Sequence, residues 1–239
     1  AARVYTDFSL LTANEDLTQE VRQVFKYIEN PYQKSQFKQL IVSPKNTRKR
    51  LYQLIDNEIQ NAMESKPASI TLKLNNLVDR EIIEKLYQAS QANVKVRMVI
   101  RGMCSLVPGI PNISEQIEIV SVVDRFLEHP RVMIFGNAGN PKVYISSADW
   151  MTRNFDHRIE VATPILNPKI KQTIIDITEF HFDDSNKARV LDQSMSNPYI
   201  QAPTNPLDYP TSQLSTYHYI KRMEKLARKK YKQEKKSCR

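Results

Sequence analysis

Apolar residues recur along this chain in two rhythms, one of every second position and one of every third or fourth, and the two take turns. The opening ARVYTDFSLLTANED reads as a short strand around residues 4–8. Leu17, Val21, Val24, Phe25 and Ile28 then share one helical face that Asn30-Pro31 stops. Ser43-Pro44 has the form of an N-cap with proline in the first turn, and Leu51, Leu54, Ile55 and Ile59 carry that second helix to about Glu64. Ile70, Leu72 and Leu74 alternate as a strand, after which Asp79 caps a helix bearing Ile82, Ile83, Leu86 and Tyr87. Residues 94–101, 117–123, 132–135, 143–147 and 159–165 read as further strands, and 167–182 as a helix covering them. Strands alternating with amphipathic helices predict an α/β layer around a mostly parallel or mixed sheet. Four prolines between 197 and 210 break every rhythm. Ile220, Met223, Ala227 and Tyr231 then predict a last, solvent-facing helix that docks by one narrow stripe.

Composition changes this picture in three places. Of the net charge of +9, the segment 217–239 holds +8, with ten Lys/Arg against Glu224 and Glu234. The body is therefore nearly neutral and the basicity belongs to the tail, where Tyr217, Tyr219 and Tyr231 are interleaved. Such a run could bind a polyanion, a nucleic acid or an anionic membrane surface, though charge runs more often only solvate a helix. Two cysteines, Cys104 and Cys238, make no disulfide framework and have no metal-ligand spacing, which fits a reducing, cytoplasmic setting. No run approaches the roughly 20 apolar residues of a membrane span, and residues 1–11 lack the basic-then-apolar order of a signal peptide. With no methionine at its start, the sequence reads as a piece of something longer.

All four glycines (Gly102, Gly109, Gly136, Gly139), the lone Trp150 and His129 fall between residues 93 and 165. Glycine is wanted where backbone turns tightly or approaches a neighbour closely, so local geometry is being built there. Arg101 ends the strand VKVRMVIR just before Gly102, at the carboxyl end where ligands of open α/β sheets gather. Its guanidinium fork suits a phosphate. In HPR, period two puts His129 and Arg131 on one side of an extended chain. Ser146, Ser147, Asp149, Arg153 and Asn154 come in the next strand, KVYISSADWMTRN. Imidazole, guanidinium, hydroxyl and amide donors in such company could hold an oxyanion. No GxxxxGK[ST], GxGxxG, HExxH, paired CxxC or GxSxG motif is present. His157, His181 and His218 read as structural or solvated, and Asp124, Glu128, Asp149 and Asp156 as partners of nearby arginines.

The runs VIRGMCSLVPGIPNISE, VSVVDRFLEHPR and KVYISSADWMTRNFDHRIEVATPI, preceded by ARVYTDFSLLTANE and SPKNTRKRL, closely resemble the carboxy-terminal region of bacterial polyphosphate kinases over about residues 1–190. The resemblance implies a phospholipase D-like α/β fold, in which two similar lobes face each other across a tunnel. It implies residues 1–40 as the end of a preceding lobe, 41–196 as the carboxy-terminal domain, and 197–239 as a proline-containing loop with a basic helical tail. Only one HxK-type set is present, with Arg131 in place of lysine. The lobe with the phosphorylated histidine would lie upstream.

The implied activity is reversible transfer of the terminal phosphoryl group of ATP to polyphosphate through that phosphohistidine, with this piece inactive alone. Carried over residue by residue, Tyr5 of the YTD motif and Arg101 of the RG motif would contact ATP. His129 of the FLEH motif would be the second essential histidine. His129 and Arg101 are thus the implied catalytic pair, and Asp7, Arg158, Asn154 and Ser147 the implied tunnel lining. Mg2+ would be held by the upstream lobe, with no ligand here. Implied partners are ATP or ADP, polyphosphate and further copies of the chain, with peripheral association at the inner membrane and no specific nucleic acid. Two other classes stay open: a polyanion-binding module, and a phospholipase D-like phosphodiesterase or nuclease half-site.

Overall fold

Eight of the strands pair into one mixed sheet in a computed structural model of the chain. The structure describes residues 4–32, 34–194, 196–200 and 210–237. Its elements are β1 (Tyr5–Thr6), α1 (Glu15–Glu29), β2 (Ile41–Val42), α2 (Thr47–Met63), β3 (Ser69–Leu74), α3 (Arg80–Gln91), β4 (Lys95–Ile100) and β5 (Ile117–Ser121). Then come β6 (Leu127–Glu128), β7 (Arg131–Phe135), β8 (Lys142–Ser146), α4 (Thr152–Asp156), β9 (Val161–Pro164), α5 (Pro168–Phe182), β10 (Arg189–Val190) and α6 (Ser212–Ser237). The sheet order is β10-β5-β4-β3-β7-β8-β9-β2, and β1 pairs separately with β6.

Strand direction decides where the site lies. β3, β4 and β5 are parallel, β7 runs against β3, and β8 runs against β7. The carboxyl ends of β3, β4 and β8 therefore meet the amino end of β7. Segments 75–76, 101–104, 128–131 and 147–150 converge on that single edge.

Alternation supplies both faces of the sheet with apolar side chains. Ile70, Leu72, Leu74, Val96 and Met98 pack with Leu51, Ile55, Ile82 and Leu86 of α2 and α3. On the other face Val132, Ile134 and Val143 pack with Ile174 of α5, and Val99 and Val120 with Phe182. Burying each large apolar side chain contributes about 1.5–3 kcal/mol, which fixes the strand register. Asp79 caps α3 as the sequence predicts, accepting from the Ile82 amide at 3.2 Å. Asn167 caps α5 through the Lys169 and Ile170 amides. Among the described residues no helix is long and apolar enough to cross a membrane.

Three local expectations fail. α1 buries Leu17, Glu20, Val24 and Tyr27, while Val21, Phe25 and Ile28 are exposed. The helix is turned because the Glu20 carboxylate accepts from the backbone amides of Lys38, Gln39 and Leu40 at 2.8–3.1 Å. Ser43-Pro44 is a cis peptide, and α2 starts only at Thr47 after Asn46. α6 docks on α5 through Tyr219, which donates to Asp176 at 2.6 Å and meets the Phe180 ring edge-on, whereas Ile220 and Tyr231 are largely exposed. Most of the predicted 197–210 loop, together with Cys238, lies outside the described residues.

Candidate functional site

Asp149, just past β8, organises the edge. It is 6% exposed, accepts from the Asn75 and Asn76 amides at 2.8 and 3.2 Å, and binds Arg131 through both oxygens at 3.2 Å. Burial pushes its carboxyl up, but the Arg131 guanidinium, the Asn75 amide and the Asn76 side chain outweigh that and hold it below the usual carboxylate range. One carboxylate thus ties the ends of β3 and β8 to the start of β7.

His129 sits against this knot. Arg131 Nη1 lies 3.2 and 3.3 Å from the two ring nitrogens. Near-equal distances put that nitrogen against the ring face. Nδ1 is 2.9 Å from Asp7 Oδ2. A carboxylate only accepts, so Nδ1 carries the donated proton and Nε2 is the nitrogen left for other chemistry. The Tyr5 ring meets the imidazole edge-on with centroids 5.1 Å apart. Tyr5 and Asp7 arrive by way of β1, which pairs with β6 in the register Tyr5↔Leu127 and Thr6↔Glu128 and is continued by the His129 amide donating to the Thr6 carbonyl. The side chain of His129 is 32% exposed, so the ring is oriented without being enclosed.

Arg101 adjoins it. Its Nε donates to Asn75 Oδ1 at 2.7 Å and to the Glu128 carbonyl, while its two terminal nitrogens have no partner among the described residues. Burial, with Arg131 nearby, pulls its pKa down against the pull of Asp149, and a guanidinium remains cationic regardless. Gly102 is dictated by contact: a Cβ there would lie 2.7 Å from both the Asn75 carbonyl oxygen and Asn76 Oδ1. Tyr5, Asp7, Arg101 and His129 are therefore brought together. Ser147, Asn154 and Arg158 form a separate group around the Glu160 carboxylate, with Asn154 Nδ2 at 3.1 Å and Arg158 Nη1 at 3.9 Å.

Beneath His129 lies a layer that the sequence pattern does not reveal. Lys73 and Glu128, 4% and 10% exposed, are paired at 3.2 Å, and His181 Nε2 lies 3.4 Å from the same carboxylate. Burial lowers the Lys73 pKa against the pull of Glu128. Burial would raise Glu128, but His181 and Lys73 bring it down to about 2. Glu128 thus answers to a lysine, where the sequence suggested an arginine. Asp149 with Arg131 and Asp156 with Arg48 do pair as expected. Lys73 alternates with Ser69 and Thr71 in SITLKL, so no local pattern marks it as buried. Among the described residues no three His, Cys, Asp or Glu side chains form a cluster fit for a metal.

Comparison with known proteins adds to this geometry. Residues 40–209 match the family model described as polyphosphate kinase C-terminal domain 2. The chain is 59% identical over 228 residues to a polyphosphate kinase of Vibrio parahaemolyticus, covering 95% of the chain and 32% of the relative. It is 53% identical to that of Escherichia coli, over 93% of the chain and 32% of the relative. The crystal structure of polyphosphate kinase from Porphyromonas gingivalis superposes with a TM-score of 0.84 at 37% identity, covering 90% of this chain and 33% of that one. The chain thus spans about a third of the length of the relatives it matches. A match of 95% also reaches into the tail, beyond the 190 or so residues that carry the motifs.

Proposed function

This chain belongs to the polyphosphate kinase family, and on that footing we propose that it supplies one wall of a site that moves the terminal phosphoryl group of ATP reversibly to polyphosphate. The nucleophilic histidine belongs to the part of the enzyme outside this chain. In phosphoryl transfer the protein contributes positioning and neutralisation of charge on the equatorial oxygens. Arg101 turns two unengaged guanidinium nitrogens toward ATP phosphate, and Tyr5 positions the nucleotide beside it. His129 presents Nε2 to the transferred group, taking up a proton there or, once protonated, donating a hydrogen bond. Asp7 and Arg131 hold the ring in that orientation, so the geometry adds Arg131 to the motif residues. The observation that carries this reading is the pairing of an oriented, partly open imidazole with the free guanidinium edge of Arg101 at one sheet edge. ATP or ADP and polyphosphate are then the substrates. Self-assembly and peripheral membrane attachment belong to the same reading, and Mg2+ would be bound outside this chain.

The test uses the full-length enzyme. Arg101→Ala and His129→Ala should each reduce polyphosphate synthesis by about 10²–10⁴-fold without unfolding the protein. Near-normal turnover removes the residue concerned from the mechanism. The 239-residue chain alone should take up no label from γ-labelled ATP, and incorporation would overturn the assignment of the nucleophile.

A second reading has its own support in α6, where Lys221, Lys225, Arg228, Lys229 and Lys232 line one exposed stripe; among the described residues Arg228 alone of these is ion-paired, with Glu224, and Lys221 donates to the Tyr217 hydroxyl at 3.0 Å. A polyanion would bind there with strong salt dependence. Removal of residues 217–239 should abolish any salt-sensitive binding of polyphosphate, and unchanged binding would refute it.

A further inference from the structure

The Gln213 side chain, at the start of α6, joins the tail helix to the strand that carries His129. Its Oε1 accepts from the Phe126 amide at 3.1 Å, and its Nε2 donates to the Phe126 carbonyl at 2.8 Å and to Glu128 Oε1 at 2.9 Å. A primary amide paired with both polar groups of one residue's backbone imitates a neighbouring strand. It fixes the height and the tilt of segment 126–128 together.

Lys73 and His181 hold the Glu128 side chain on that side, but among the described residues only Gln213 grips the backbone of Phe126. A cavity of about 570 Å³ separates α6 from the segment, lined among others by Phe8, Phe126, Leu214 and Tyr217. Packing therefore does not press the two together, and the hydrogen bonds must. Segment 126–128 leads straight into the site. Leu127 and Glu128 pair with β1, which delivers Tyr5 and Asp7, the Glu128 carbonyl holds Arg101, and the next residue is His129. The remainder of α6 is anchored independently of Gln213. The Ser212 amide donates to Asp184 at 2.6 Å, and Tyr219 donates to Asp176 on α5.

We propose that Gln213 is a positioning residue, through which the basic carboxy-terminal helix sets the orientation of His129. The proposal rests on the phosphoryl-transfer reading for its kinetic consequence but not for its geometry. A substitution at Gln213 moves the groups that meet the transferred phosphoryl and leaves the ATP-binding surface present. Its signature is therefore in kcat more than in KM, because misplacement by about 1 Å can cost on the order of a hundredfold in rate.

The variants are Gln213→Leu, which has no amide, and Gln213→Glu, which keeps the shape but loses both donated bonds. In the full-length enzyme each should lower kcat for polyphosphate synthesis about ten- to a hundredfold, with KM for ATP changed less than about threefold. In the 239-residue chain, ring resonances of His129, identified by their loss in His129→Ala, should shift in both variants while Trp150 fluorescence stays near wild type and shows the variant folded. Unchanged ring signals and unchanged kcat in a folded variant overturn the proposal. So does a loss confined to KM. Should Gln213→Leu fail to fold, Gln213→Glu decides by the same two readouts. Should the wild-type enzyme make no polyphosphate, the reaction assignment falls and the ring signals still judge the role of Gln213.

Discussion

Lys73→Met is the sharpest probe of the layer beneath His129. It keeps the length of the side chain and removes the ammonium that faces Glu128 at 3.2 Å from a position only 4% exposed. Glu128 stands at about 2 where its ordinary value is 4.5, a displacement worth roughly 3.5 kcal/mol at about 1.4 kcal/mol per unit. Part of that belongs to His181, but removing Lys73 also strands a buried carboxylate, a change that typically costs about 3–5 kcal/mol. A net loss of about 3 kcal/mol at pH 7 is expected, or roughly 6–12 °C in midpoint for a chain of this size. Urea unfolding followed by the fluorescence of Trp150, the lone tryptophan and 1% exposed, measures it.

The pH dependence checks the cause. A carboxyl held below its unfolded value stabilises the fold fully above about 4.5, and the contribution disappears as pH falls toward about 2. In Lys73→Met that carboxyl rises, so the gap from wild type should narrow through the same window. Glu128→Gln added to Lys73→Met should recover at least half of the loss, because the stranded charge is then gone. A loss under about 1 kcal/mol at pH 7, or a gap constant down to about pH 3, would refute the buried pair.

Two contacts away from the site make their own predictions. Glu20→Ala strands the amides of residues 38–40 and should cost about 2 kcal/mol, with trypsin cutting faster at Lys38; an unchanged digestion pattern would show that α1 is held otherwise. Burial pushes the Cys104 thiol up to about 11, so in a Cys238→Ser background it should react with a disulfide reagent at about pH 8 far more slowly than free cysteine, and rapid labelling would contradict its burial.

Period two and period 3.6 were enough to read β3, β4, α3 and α5, since each buries a face or stripe that only one geometry can satisfy. Asp79 was legible as a cap because capping is local. α1 was misread because its apolar residues describe two overlapping stripes, and the choice between them is made by Glu20 reaching the amides of residues 38–40. At the site, His129 and Arg131 were readable as neighbours from their spacing. The union of Arg101, Tyr5 and Asp7 with them came only through family motifs, because it depends on strand order and on β1 pairing with β6. Lys73 and Gln213 stayed hidden, as their partner Glu128 lies 55 and 85 positions away in sequence and no local pattern marks them.

Asp7 and His129 are 122 positions apart, and the ladder that joins their segments is two residues long on each side. Closing so large a loop for so few bonds makes this slower to form and less protected than the central sheet. On refolding, the central strands will gather first and the imidazole will meet its carboxylate last. In deuterium exchange, the Leu127 and His129 amides will open well before those of β3 and β4, so Asp7 and His129 can part while the rest of the described structure stays native.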